Sequence, residues 1–245
     1  MRNELDFSGQ RVLVVGGSSG IGNGAAQAFR ARGAEVHVWG TRPTAADYAG
    51  EAGSDMEGLR YVQVDVSDAE AIERAPLPPG PLNVLVQSQG AVLYRRQEFE
   101  RAGWQKVIDI NLSSLLQIAM RCESALAEAK GAMILVSSVG AFSGVLGNPA
   151  YGASKAGAVS LVKTFAKAWA GKGVRVNGIA PSLVDTKLTK VTMDHPDRKE
   201  RALSRIPLGR FGTVEEMAGV ALFLASPLAG YVTGQTIVVD GGLTS

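Results

Sequence analysis

Short apolar runs recur along the chain, and runs such as Val12–Val15 and Met133–Val136 are apolar throughout instead of alternating with polar residues. Successive side chains of a strand point to opposite faces of its sheet, so such a strand must be covered on both sides. The β-like runs are Val12–Val15, Val36–Trp39, Tyr61–Val64, Leu82–Val86, Met133–Val136, Val174–Val176 and Ile237–Val239. Between them lie the helical patterns Ile21–Arg32, Trp104–Lys130, Tyr151–Ala170 and Val214–Ala225. This alternation predicts an α/β fold: a single Rossmann-type doubly wound domain over residues 1–245, with a parallel seven-stranded sheet and helices on both faces. A chain of 245 residues is long enough to bury one such core. Right-handed crossovers would bring the strand carboxyl ends to one edge, where ligands bind.

Three segments fit this alternation less well. Thr41–Leu59 is rich in Gly, Ala and Asp and reads as a loop with one short helix. The prolines of Ala75–Pro81 end a short helix. Lys187–Arg210 is polar and helix-compatible, follows a strand end, and reads as a substrate lid.

Composition narrows the partners. With 25 Lys+Arg against 23 Asp+Glu, nothing calls for nucleic acid or an anionic membrane. Gly131–Ser154 and Met217–Val239 carry no charge, but Gly, Pro, Ser and Thr interrupt both, which predicts buried core and not a membrane span. Met1–Gly9 contains Glu4 and Asp6 and does not read as a signal peptide. The one cysteine, Cys122, fits a reduced, cytoplasmic setting. It joins only two histidines, so no metal constellation is expected. His37 and His195 read as a packed strand residue and a loop residue. Ser137 and Ser138 lack the glycine-flanked elbow of a serine hydrolase.

The first run leads directly into Gly16-Gly17-Ser18-Ser19-Gly20-Ile21-Gly22 and then into a helix. Glycines allow a tight turn and close approach to a pyrophosphate, and the helix amino terminus offers free N–H groups with partial positive charge. The end of the second run would meet the adenosine ribose. An acid there suits NAD, and a basic residue suits the 2′-phosphate of NADP. Here Gly40, Thr41 and Arg42 follow Trp39. Arg42 can pair a phosphate bidentately, so NADP(H) is favoured modestly over NAD(H).

Ser138 follows the fifth run, and Tyr151 comes thirteen residues later with Lys155 one helical turn beyond it. Residues i and i+4 share a helical face. A phenol with a reference pKa of ~10 is a poor base, and an ammonium beside it favours the phenolate. Bringing it near neutrality takes roughly 4 kcal/mol of differential stabilisation. With a serine hydroxyl to bond the oxygen, these groups suit proton transfer at a carbonyl or alcohol oxygen during hydride transfer by a nicotinamide.

These motifs stand in one order along essentially the whole chain. They are Gly16…Gly20-Ile21-Gly22, Asp65-Val66-Ser67, Asn111, Ser138, Tyr151, Lys155, Asn177…Pro181 and Thr233-Gly234-Gln235…Asp240-Gly241-Gly242. In this the chain resembles the short-chain dehydrogenase/reductase family, in its subtype of about 250 residues. The resemblance implies that Tyr151 is the general acid/base. Lys155 would lower its pKa and hold the nicotinamide ribose, and Ser138 would position the substrate oxygen. Asn111 would kink its helix and hold a water linking Lys155 to solvent. Asp65 would bond the adenine amino group, with Val66 beside it. Pro181 to Thr186 would cover the nicotinamide, with Val184 and Thr186 near its carboxamide. A small-molecule alcohol or ketone is the implied substrate. A homotetramer is implied too, through Trp104–Lys130, Tyr151–Ala170 and Gly241–Ser245.

The chain departs from the family pattern at Val15, at Ser182, and at Gln87-Ser88-Gln89, where Asn-Asn-Ala is usual and only Gly90 matches. The resemblance implies that this loop braces the central sheet, so its bonds must be rebuilt. Two other readings stay open. One is a 3-oxoacyl-[acyl-carrier-protein] reductase, with Lys130 and Lys172 near the site mouth to meet an acidic carrier. The other is a non-catalytic cofactor-sensing protein. Arg95 and Arg96 read as a solvated pair that could attract an anionic substrate.

Overall fold

Seven strands form one sheet in the computed structural model, which describes residues 4–245. Met1–Asn3, the start of the amino-terminal stretch read above, lie outside the described residues. The strands are β1 (Arg11–Val15), β2 (Glu35–Gly40), β3 (Arg60–Gln63), β4 (Val84–Gln87), β5 (Ala132–Val136), β6 (Arg175–Pro181) and β7 (Thr236–Val239). Their order is β3-β2-β1-β4-β5-β6-β7, and every pairing is parallel. The strand order reverses between β1 and β4, which opens a crevice at their carboxyl ends.

Consecutive apolar residues serve the two faces as expected. Leu13 and Val15 join one buried cluster with Ile118, Cys122, Leu126, Val162 and Trp169. Val12 and Val14 join the other, with Phe29, Ile134, Met217 and Leu222. The first cluster is covered by α2 (Ala69–Arg74), α4 (Ser114–Ala129) and α5 (Pro149–Trp169); the second by α1 (Gly20–Arg30) and α8 (Val214–Ala225). Burial raises the Cys122 thiol pKa to about 12, so it is an unreactive part of the packing. His37 is buried in β2 and bonds Glu35 at 2.8 Å, whereas His195 is exposed.

The long pattern Trp104–Lys130 is not one helix. α3 (Arg101–Ile108) passes through a π-helical turn at Asp109–Ser113 before α4 begins. The wide turn carries Asn111, and the Ser114 hydroxyl donates to the Ile110 carbonyl at 2.6 Å. Periodicity does not show a single added residue, because apolar positions on both sides still fall near the core face.

Lys187–Arg210 folds as a 3₁₀ turn, α6 (Lys190–Met193) and α7 (Pro196–Leu203). Thr41–Leu59 holds one 3₁₀ turn, Ala45–Tyr48, and then wraps back across the start of α1. There Gly53 accepts from the Gly20 amide at 2.8 Å, and the Asn23 side chain clamps the Asp55 backbone at 2.6 and 2.9 Å. Among the described residues no helix is long and apolar enough to cross a membrane, and no group of side chains is arranged to hold a metal.

Candidate active site

The carboxyl edge collects the loops after β1, β4, β5 and β6. At the first of these Gly16 has φ +72°, and an added Cβ would lie 2.8 Å from the Gln89 amide nitrogen. At Gly22 it would lie 2.2 Å from the Gly16 carbonyl oxygen. This is a cradle that side chains would fill. Ser19 precedes α1 without capping it, and the first turn leaves the Ile21 and Gly22 amides without intrahelical partners. These features fit a pyrophosphate. Thr186 comes from the far side of the crevice: its Cγ2 would be 3.3 Å from a Cβ on Gly20. Gly22→Ala is expected to cost about 1–3 kcal/mol, because rigid backbone stands in the way. Thermal melting and a nicotinamide-fluorescence titration would check it; an unchanged Tm with intact dinucleotide binding would refute the cradle.

The adenosine side is more occupied than the sequence suggests. A Cβ on Gly40 would lie 2.7 Å from the Ser18 hydroxyl and 2.8 Å from the Tyr48 hydroxyl. Tyr48 fills the space where an acid could stand, and the Arg42 amide donates to its oxygen at 3.1 Å. The Arg42 guanidinium lies 4.6 Å over the Tyr48 ring and pairs with Glu51, which also pairs with Lys187. The Thr41 carbonyl accepts from Gln63 at 3.1 Å. The Asp65 carboxylate closes a local turn on the amide and hydroxyl of Ser67, at 2.9 and 2.7 Å, beside half-buried Val66. Val184 is buried and bridges to Gly212, below Pro181 at the end of β6.

The loop after β4 solves its bracing with glutamines. Buried Gln87 donates to the Leu115 carbonyl at 3.1 Å and accepts from Gln89 at 3.2 Å. Gln89 also bonds the Ser114 hydroxyl at 3.0 Å. The two longer side chains bond each other and reach across to α4. Gly90 lies beside Lys155 and Asn111: a Cβ there would be in ordinary contact, 3.5 Å from Nζ and 3.8 Å from the Asn111 side-chain oxygen.

Ser138, Tyr151, Lys155 and Asn111 come together. Ser138 caps the 3₁₀ turn after β5, and its hydroxyl and the Tyr151 ring flank Gly140, where a Cβ would lie 3.5 and 3.7 Å from them. Lys155 is buried; its Nζ lies 5.7 Å from the Tyr151 ring centroid and donates to the Val136 carbonyl at 2.8 Å. Asn111 is fully buried and brackets Ala91, accepting from its amide at 2.7 Å and donating to its carbonyl at 2.9 Å. It also reaches Ser154, 3.2 Å away, so both of its polar atoms have protein partners.

Burial opposes the lowering of the phenol pKa that the Tyr151–Lys155 spacing leads one to expect. Burial holds Tyr151 above the ordinary phenol value, the Ser138 hydroxyl opposes this, and the charges of Tyr94 and Glu98 add to it. Burial also lowers the Lys155 ammonium to about 8. Desolvation disfavours the charged form of each.

A second correction concerns the basic residues. Lys130 and Lys172 stand just before β5 and β6, at the amino edge of the sheet and so opposite the site. Parallel strands force this, because each helix must return the chain to the amino edge. Lys172 pairs there with Glu123. Arg95 and Arg96, after β4, do stand at the site edge, with Arg96 stacked 4.5 Å over Phe99. Glu98, Tyr48 and Glu51 were not singled out from the sequence. Only Tyr48, a lone aromatic in a loop of small residues, carried a visible signal.

Residues 15–244 match the family described as enoyl-(acyl carrier protein) reductase. A 3-oxoacyl-[acyl-carrier-protein] reductase of Chlamydia pneumoniae is 37% identical over 251 residues, covering 98% of this chain and 99% of the relative. The chain belongs to the short-chain dehydrogenase/reductase family. A 2-dehydro-3-deoxy-D-gluconate 5-dehydrogenase of Bacillus subtilis is 35% identical over 254 residues, covering 100% of this chain and 98% of the relative. A solved structure from Agrobacterium tumefaciens, described as a putative 2-deoxy-D-gluconate 3-dehydrogenase with bound NADP, superposes with a TM-score of 0.87 at 31% identity, covering 99% of both chains. As a member of this family the chain is an NAD(P)-dependent oxidoreductase acting between CH–OH and C=O groups.

Proposed function

We propose that this enzyme interconverts a secondary alcohol and a ketone, with Tyr151 moving the proton and Ser138 holding the substrate oxygen. The observation that carries this reading is the placement of Ser138 and Tyr151 around Gly140 beside buried Lys155, at the edge where the glycine cradle opens. A bound nicotinamide dinucleotide supplies or accepts the hydride. Gly16, Ser18, Ser19, Gly20, Ile21 and Gly22 would hold its pyrophosphate end. Gly40, Thr41 and Arg42 would meet the adenosine ribose, and Asp65 and Val66 the adenine. Gly90, Pro181, Val184 and Thr186, with Tyr151 and Lys155, would meet the nicotinamide end. Asn111 holds the loop that keeps Gly90 beside Lys155. In ketone reduction Tyr151 donates its proton, and its raised pKa suits that role. Reduction should therefore fall, and alcohol oxidation rise, as pH passes upward through the pKa of the phenol. The test is turnover of a ketone and alcohol panel with both dinucleotides; binding of a dinucleotide without turnover of any member would overturn the reading in favour of a cofactor sensor.

Within that reading NADP(H) is preferred, because Gly40 leaves no acid at the ribose and Arg42 and Lys187 converge on the same side. Glu51 now neutralises both cations. Glu51→Gln is expected to tighten NADPH binding by up to about fivefold, the equivalent of ~1 kcal/mol, and to leave NADH unchanged. An equal gain for both dinucleotides would remove Arg42 and Lys187 from the phosphate site.

A 3-oxoacyl thioester is the second substrate reading, favoured by the Chlamydia pneumoniae relative. With Lys130 and Lys172 on the wrong edge, Arg95 and Arg96 would have to meet the carrier. Turnover of acyl thioesters but not of small ketones would decide for it. A cytoplasmic homotetramer completes the proposal. Leu116 and Met120 are exposed on α4 at 46% and 51%, apolar positions that pairing with a second copy would cover. Sedimentation as a monomer would refute the tetramer.

A further inference from the structure

Glu98 is fully buried in the 3₁₀ turn Gln97–Phe99, between the loop after β4 and the start of α5. One carboxylate oxygen accepts from the Leu93 amide at 3.0 Å and from the Asn148 side chain at 3.0 Å. The other accepts from the Tyr151 amide at 2.9 Å. Asn148 donates also to the Leu93 carbonyl at 2.7 Å, which closes the group.

Two features make this more than packing. Asn148 is the residue before α5, yet its side chain makes no capping bond, and the first turn of the helix has no acid. The carboxylate of Glu98, from another element, takes the place of both. The backbone leading into the turn is also strained: Arg95 and Arg96 have φ of +56° and +62°. The left-handed conformation costs such residues about 1–2 kcal/mol each. Burying a carboxylate away from any basic partner is costly too, and no ion pair to Glu98 occurs among the described residues.

We propose that Glu98 is a positioning residue: it clamps the first turn of α5 to the loops after β4 and β5, and so fixes the Tyr151 phenol against Ser138. This rests on the role of Tyr151 given above. The groups facing that phenol are Lys155 on its own helix, Ser138 from the loop after β5, and Tyr94 and Glu98 from the loop after β4. Glu98 does not touch the reacting atoms. It acts through the backbone that carries them, and its charge adds a smaller push, behind burial, in the direction that disfavours the phenolate.

The test compares Glu98→Gln and Glu98→Asp with the wild-type enzyme. It reads kcat, dinucleotide Kd, and the titration of Tyr151 followed by NMR of protein labelled at the tyrosine Cζ, with Tyr151→Phe assigning the signal. The glutamine keeps the shape, but its amide NH₂ cannot accept from an N–H. We expect kcat to fall roughly 50-fold, dinucleotide Kd to stay within about twofold, and the Tyr151 titration midpoint to move down. Glu98→Asp keeps the charge and shortens the reach, so the midpoint stays and kcat still falls. Unchanged kcat in either folded variant overturns the proposal, and so does a fall in kcat for Glu98→Gln with an unmoved midpoint. The titration does not depend on turnover. If the wild-type enzyme turns over no substrate of the panel, the reading of function fails, and the midpoint alone still decides whether Glu98 acts on Tyr151.

Discussion

Replacing Tyr151 by Phe is expected to lower kcat by about 10³-fold and to leave the dinucleotide Kd within about twofold. The variant removes one oxygen and keeps the ring, so α5 and its packing should survive. What disappears is the hydroxyl that stands beside Ser138 and shares a helical face with the Lys155 ammonium. Ser138 alone cannot replace it, because its hydroxyl already accepts from the Gly140 amide at 3.1 Å and has no base beside it. Steady-state kinetics with the best substrate of the panel, beside a fluorescence titration of NADPH, would separate the two effects. Retention of wild-type kcat would move the proton-transfer role elsewhere. Loss of dinucleotide affinity together with kcat would mean that the phenol serves mainly to hold the nicotinamide end.

Most of what was legible in the sequence depended on local spacing. Val12 to Val15 are apolar at every position, which already required a sheet covered on both faces, and Val12 and Leu13 do face opposite clusters. Tyr151 and Lys155 were placed together by helical spacing alone. Features set by distant chain segments were not legible. Gln87 and Gln89 showed that the bonds of the bracing loop must be rebuilt, but how they are rebuilt needs Leu115 and Ser114 from α4. Glu98 gathers donors from Leu93, Asn148 and Tyr151, and no periodicity brings those three together. The burial that opposes a lowered Tyr151 pKa was hidden for a related reason. Sequence shows that an ammonium is near, but the shift is governed by how dry the pair is, and that follows from the packing around it.

Lys155→Met is expected to reduce turnover by at least about 10²-fold and yet make the protein more stable at pH 7. The ammonium is buried, and its pKa is lowered from 10.5 to about 8 by desolvation. That difference corresponds to about 3 kcal/mol, present in full below pH 8, where both folded and unfolded chains carry the proton. Between pH 8 and 10.5 the unfolded chain binds more protons than the folded one, so wild-type stability should rise with pH across that window. Methionine has no charge to desolvate and fills a similar volume. It leaves the Val136 carbonyl, now bonded at 2.8 Å, without its donor, which costs about 1–2 kcal/mol. The net gain at pH 7 is then about 1–2 kcal/mol, or a rise in Tm of a few degrees, and it should shrink as pH approaches 10.5. Urea unfolding of both proteins at pH 7 and pH 9.5 would test this. A variant destabilised at both pH values, beside a wild-type protein whose stability does not climb, would mean that the ammonium is adequately solvated. A stabilised, inactive variant would mean that the fold tolerates a costly buried charge because the proton transfer at Tyr151 requires it there.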